Sequence, residues 1–296
     1  MIPEHKFVNC AVCGSRNYVE GLSSCFIGHR DDLDLRSPLP YFLLIQHCRN
    51  CGYSAANISD GSPELANLLK KPEYINCENT VFPPERWQIE FNEEDDIKTD
   101  SKAKSYYQCG LLMLWTGKIE SAYNMFMCAA WMCDDEQLTD EMAMFEHSKA
   151  AGHFKTPELE EYFRKKAEKA TEIQKVCNET AKICRRRATD LFDEVMKSLE
   201  DKASKKYLWR LVAMQVDALR RSESFEEAIQ FAEQYTEDLS LKPLAEYQIN
   251  LCQKHDSCVH TQNEVYDYFI EHTKEFEAFY EKHKDEYEEL KKEWEE

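Results

Sequence analysis

Cys10-Ala11-Val12-Cys13-Gly14 and Cys48-Arg49-Asn50-Cys51-Gly52 are two copies of one five-residue pattern. Two thiols three positions apart wrap one side of a metal ion, and tetrahedral zinc takes four ligands, with sulfur at about 2.3 Å. The glycine after each second cysteine takes the positive φ that so tight a turn demands. One turn supplies half a tetrahedron and its copy supplies the other half. Cys10, Cys13, Cys48 and Cys51 are therefore the expected ligands of one structural Zn2+ per chain. Four thiolates close the coordination shell and leave no position for a catalytic water.

Around these turns, residues 1–60 read as a small β zinc ribbon. Lys6-Phe7-Val8 enters the first turn as a strand and Tyr18-Val19-Glu20 leaves it. Tyr41 to Ile45, aromatic and aliphatic between Pro40 and the second turn, is the strongest strand signal in the chain. So short a segment buries little surface, and structural zinc contributes on the order of 10–16 kcal/mol of folding free energy. Between the turns, Cys25, His29, Asp31, Asp32 and Asp34 resemble a ligand or catalytic cluster. The plainer expectation is a charged loop that packs through Phe26, Ile27, Leu33 and Leu35.

Composition sets the wider frame. The chain has 296 residues, a net charge of -19 and 13 cysteines. Cysteines without a secretory signal point to a reducing, cytoplasmic setting, where paired cysteines bind metal more often than they form disulfides. No apolar run is long enough to cross a bilayer, so no membrane association is expected. Nucleic-acid affinity rests on phosphate neutralisation by Lys and Arg. Residues 1–60 carry five such cations against six carboxylates, a net of -1, which argues against that role.

Punctuation residues divide the chain. Seven of nine prolines and five of eight glycines lie at or before Pro84. Residues 61–100 then form a connector that ends in Glu93-Glu94-Asp95-Asp96, with a short helix expected over Glu64 to Lys71. Trp87, Ile89 and Phe91 alternate as a strand or a peg.

From Ser101 the period becomes helical, and residues 101–260 read as a TPR-like helical array. Ala103 to Glu136 fits one repeat unit of 34 residues. Gly110 stands where the first helix approaches the second, Gly117 in the turn, and Ala122, Phe126, Ala129 and Trp131 on the inner face. A weaker copy spans Trp209 to Ser240, with Val212, Val216, Leu219, Ala228, Ala232 and Tyr235, and Val216 replaces the close-packing glycine. Thr156-Pro157 is a helix start, an N-cap residue followed by proline at the first helical position. From Glu158 the apolar steps of three and four predict one long helix, or two broken near Asp201 to Ser204. Cys177 and Cys184 on that stripe read as core residues, and Arg185-Arg186-Arg187 as a solvated surface. Pro243 starts a further helix, with Leu244, Tyr247, Leu251 and Cys252 inward. Cys252, His255, Cys258 and His260 form a candidate second metal set, but their spacing matches no known zinc turn. Residues 261–296, with 13 acids against five lysines, predict an acidic helix that caps the array or binds a partner. Its seam is Phe269, Thr273, Phe276, Tyr280, His283, Tyr287, Leu290 and Trp294.

Arg30-Asp31-Asp32-Leu33-Asp34, Ser37-Pro38-Leu39, Tyr41 and Cys48 to Ala55, together with Cys10 to Gly14, resemble a bacterial family of uncharacterised proteins. In the helical part Gly117 and Ala129-Ala130-Trp131 add to the resemblance. That family joins a paired Cys-x-x-Cys segment to a TPR-like tail. The family places proline after the first turn cysteine, where this chain has Ala11 and Arg49, and Asn-Pro where it has Ser37-Pro38. The resemblance implies zinc binding and a repeat architecture, and no reaction.

These residues lead to a non-catalytic zinc-binding scaffold that binds a protein or peptide through its helical surface. The alternatives are a nucleic-acid-associated zinc ribbon and a metal- or thiol-dependent enzyme. Against the enzyme, the chain has no His-Glu-x-x-His, no Gly-x-Ser-x-Gly and no phosphate loop.

Overall fold

The structure is a computed structural model, and it describes residues 2–24, 33, 45–83, 101–135, 141–199, 202–286 and 288. It is mainly helical, with a small β head of two antiparallel pairs. By packing, the chain divides into two compact units, Met1–Ile27 with Leu39–Leu191, and Gly28–Pro38 with Phe192–Glu296.

In the first unit, β1 (Ile2–Asn9) pairs with β2 (Arg16–Ser24) across the first cysteine turn, with Phe7 opposite Tyr18. Both strand expectations hold. β3 (Gln46–His47) and β4 (Ser54–Ala55) flank the second turn as a far shorter pair. Tyr41 to Leu44 and the connector peg Trp87, Ile89 and Phe91 lie outside the described residues, as do Cys25, His29 and the aspartates beside them.

The helix expected over 64–71 is instead a 3-10 turn over Pro63–Asn67, followed by α1 (Pro72–Ile75). Both begin with proline at the first turn, and between them the amides of Leu65, Leu68 and Lys71 bond three residues back, to Ser62, Leu65 and Leu68, which is the 3-10 pattern. Next come Cys77, Glu78 and Asn79, three successive left-handed residues with φ of 49°, 55° and 67°. Non-glycine residues resist that conformation. Glu78 is held from both sides, because Tyr107 Oη donates to its carboxylate at 2.6 Å and Arg187 Nη2 at 2.9 Å.

α2 (Lys102–Trp115) and α3 (Ile119–Asp135) form a hairpin on which α5 (Pro157–Thr189) packs, alongside α4 (Glu141–Ala150). A Cβ at Gly110 would lie 2.7 Å from Phe126 Cε1, so only glycine lets the two helices approach. Ala122, Phe126 and Ala129 are fully buried. At the start of α5, Thr156 accepts from the Leu159 amide, as its sequence predicts. Cys177 and Cys184 are buried core residues.

The arginine triplet departs from its expected solvated role. Arg185 is buried and forms an ion pair with Asp134, while Arg187 pairs with Glu78 and lies over the Phe126 ring. Successive residues step about 100° around a helix, so the triplet spans about 200° and its members face different neighbours. The long helix also ends earlier than expected. Asp190 and Leu191 turn back on Arg186 and Ala188, and Thr189 Oγ1 donates to the Arg186 carbonyl at 2.8 Å. α6 (Phe192–Leu199) follows, in the second unit.

In that second unit, α7 (Lys205–Arg221), α8 (Phe225–Glu233) and α9 (Lys242–Gln253) pack on one another. The α7/α8 hairpin repeats α2/α3 at an offset of 106 residues. The amides of Gly117 and Lys118 bond the carbonyls of Leu114 and Met113, and those of Glu223 and Ser224 bond Arg220 and Leu219. Gly117 and Glu223 share the left-handed conformation, φ 74° and 62°. Val216, in the place of Gly110, packs on Ala232, in the place of Phe126. The large and small partners have exchanged helices. Gly152 and His255 end α4 and α9 with the same hydrogen-bond pattern and positive φ.

Buried Arg220 binds this unit together. It donates to Asp217 and Gln248 at 2.7 Å, and to the carbonyls of Asp256 and Cys258 at 2.7 and 2.9 Å. The expected single C-terminal helix is two, α10 (Gln262–Glu271) and α11 (Thr273–Lys282). The break sits at His272, whose ring bonds the Tyr268 carbonyl, while Thr273 Oγ1 donates to the Ile270 carbonyl at 2.6 Å. Side chains that satisfy backbone carbonyls in this way compete with the helix. The described part of the seam packs inward: Phe276 is buried against Phe269, and Tyr280 Oη donates to the Leu239 carbonyl, while Tyr287, Leu290 and Trp294 lie outside the described residues.

Candidate metal centre

The two cysteine turns are built alike. The Gly14 amide bonds the Cys10 carbonyl and the Gly52 amide bonds the Cys48 carbonyl, both at 2.8 Å, with φ of 73° and 77° at the glycines. No atom comes within 4 Å of a Cβ placed on either glycine, so backbone conformation alone requires them. The amides of Val12 and Cys13 point at the Cys10 sulfur, and those of Asn50 and Cys51 at the Cys48 sulfur. The Ser15 and Tyr53 amides serve Cys13 and Cys51.

The four Sγ atoms, predicted from spacing alone, lie within 4.8 Å of one another. Cys10 and Cys51 are 3.7 Å apart, and so are Cys13 and Cys48. A tetrahedron with metal–sulfur bonds of about 2.3 Å has sulfur–sulfur edges of about 3.8 Å. A disulfide needs about 2.05 Å, so the arrangement has the dimensions of a tetrathiolate metal site. An S4 tetrahedron suits zinc or iron.

Charge supports the same conclusion. Burial pushes the Cys10 and Cys51 thiols up. The Cys13 thiol is lowered to about 6, chiefly by the Ser15 hydroxyl and then by the Asn50 amide. At Cys48 burial works upward, but the Ser15 hydroxyl and the turn amides bring the thiol down. Four thiolates so close repel one another, and a dication among them removes that conflict.

Three polar side chains that the cysteine spacing did not single out serve the sulfurs. Ser15 Oγ lies 3.0 Å from Cys13 Sγ and 3.2 Å from Cys48 Sγ, bridging the two turns. Asn17 Nδ2 donates to Cys48 and Asn50 Nδ2 to Cys13, each at 3.4 Å. Asn17 Oδ1 also accepts from the Arg49 amide, which locks one turn to the other. Such donors orient metal ligands and lower their basicity.

The centre is tied to the helices of its own unit. Tyr74 Oη donates to the Gly52 carbonyl at 2.7 Å and accepts from the Ser54 amide. Gln108, buried in α2, donates to the Tyr74 carbonyl and accepts from Ser54 Oγ.

The second candidate set does not assemble. Among the described residues, only the knuckle cysteines gather as potential metal ligands. Cys252 is buried with Leu219 and Ala228, His255 lies edge-on to Phe225, and Cys258 is exposed. His260 presents its two ring nitrogens to Asp256 and Glu264, at 3.1 and 3.0 Å, on opposite sides. No helix among the described residues is long and apolar enough to cross a membrane. No protein-family model, curated protein or solved structure matches the chain, so the resemblance seen in the sequence assigns it to no family.

Proposed function

We propose that the chain is a non-catalytic scaffold in which one structural zinc folds the β head and TPR-like helical hairpins bind a protein or peptide. The observation that carries it is the four-sulfur cluster, two of whose edges measure 3.7 Å; four thiolates on one ion would leave no coordination position for substrate or water. The repeated hairpin, with matched turns at Gly117 and Glu223, supports the TPR-like part. Helical repeats characteristically offer such surfaces to peptides. Cross-linking mass spectrometry on the zinc-loaded chain with its captured partner tests this. Cross-links are expected to concentrate on residues 102–253. Substrate turnover lost on removal of the metal would contradict the scaffold.

One observation favours nucleic acid as a second reading. Phe7 and Tyr18 are 60% and 58% exposed, lie 5.1 Å apart with their rings tilted by 56°, and carry Arg16 over the Phe7 ring at 4.3 Å. Exposed aromatics beside a guanidinium suit unpaired bases. Salt-sensitive binding of a single-stranded oligonucleotide, lost in a Phe7→Ala, Tyr18→Ala variant, would favour it over the scaffold.

A further inference from the structure

A cavity of about 490 Å3 opens in the second unit where α7, the start of α9 and α10 meet. Its size falls within the range of roughly 300–1,000 Å3 typical of ligand sites. Trp209, Ala213, Leu241, Leu244 and Val265 give it an apolar lining, and Lys206 and Arg210, both exposed, add two cations.

The approach along α7 has a distinctive charge. Lys202, Lys205, Lys206 and Arg210 fall in a stretch without a carboxylate, in a chain whose net charge is -19. Leu33 forms another part of the lining. Its amide bonds the His260 carbonyl at 3.0 Å, and its side chain packs on Tyr247 and Leu251. In sequence, Leu33 is flanked by Asp31, Asp32 and Asp34. The molecule thus already seats one leucine side chain at this cavity.

We propose that the cavity docks an acidic peptide segment of a partner protein. One bulky apolar side chain of the peptide fills the space against Trp209 and Leu244. Carboxylates flanking it meet Lys206 and Arg210. The proposal rests on the scaffold reading above, and adds to it the surface used and the chemistry of the partner. Charge selects the peptide: a basic segment is repelled at α7, and an acidic one without a large apolar residue leaves the cavity unfilled.

The test titrates the full zinc-loaded chain against a fluorescein-labelled peptide centred on Asp-Asp-Phe-Asp, read by anisotropy. Saturable binding that weakens as salt is added is expected. Lys206→Glu with Arg210→Glu changes only exposed positions and should weaken binding at least about tenfold. Ala213→Leu, which adds volume to the lining, should do the same, as should serine in place of the peptide's phenylalanine. Absence of saturable binding, or equal affinity in the charge-reversed chain, would overturn the proposal. If the charge-reversed chain still cross-links its native partner along the helices, this cavity is excluded and the scaffold reading stands. If the parent chain binds neither peptide nor partner, both fall.

Discussion

A methyl group at Gly110 would lie 2.7 Å from the Phe126 ring. Gly110→Ala should therefore destabilise the protein by about 1–3 kcal/mol through overpacking. Phe126→Leu in the same chain should recover part of the loss, measured as a double-mutant cycle in urea. Gly117 has open space around it but a φ of 74°. Gly117→Ala isolates backbone strain and should cost about 1 kcal/mol. Both glycines were legible in the sequence, since small-large spacing and a turn position need only local order. Val216 in the glycine's place was legible too, but that Ala232 packs against it shows only when the two helices are in contact. Ser15, Asn17 and Asn50 escaped for a related reason. They reach sulfurs of the opposite turn, 31 to 37 residues away in sequence for the closest cross-turn pairs. Spacing names ligands but not the donors that the fold brings to them.

Helices in the second unit hang on a few buried polar groups. Arg220 is completely buried and Asp217 nearly so. Arg220→Met removes a buried countercharge from that carboxylate and should cost about 3–5 kcal/mol, read from the denaturation midpoint. Changing Asp217 to leucine as well should return much of it, since an apolar pair replaces a buried ion pair. At the start of α10, the Thr261 amide donates to Glu264, and Asp256 and Glu264 flank His260. Burial acts to raise both carboxyls, but hydrogen bonds from Cys258 and Thr261, with His260 beside them, hold both lower than usual. A depressed carboxyl contributes stability above its unfolded pKa, near 4, and loses it as pH falls through the folded value. Amide protection in α10, corrected for the intrinsic exchange rate at each pH, should therefore fall as pH drops below about 4, and Glu264→Gln should blunt that response. Element boundaries were the least legible part of the helical region. Apolar periodicity runs through Asp190 and His272, whereas the breaks come from Thr189, His272 and Thr273 bonding backbone carbonyls.

Over the whole molecule, the sequence made a mainly helical chain with a small β head visible, because proline and glycine cluster at the front and helical period dominates behind. It hid how the cysteine cluster joins the helices. Tyr74 and Gln108 lie in a connector and a helix with no motif of their own, yet they link Gly52 and Ser54 to α2. Loss of the metal should therefore loosen more than the β head. Chelation is expected to raise amide exchange across residues 46–55 and in the first two turns of α2. α7 to α9 serve as the internal reference, with unchanged exchange. The central claim, a closed tetrathiolate zinc centre, is tested most directly by elemental analysis with X-ray absorption on chain purified under reducing conditions. The account predicts one zinc per chain bound by four sulfurs at about 2.3 Å. A chain without metal, with the cysteines paired as disulfides, or a zinc with an oxygen or nitrogen ligand in place of one sulfur, would contradict it.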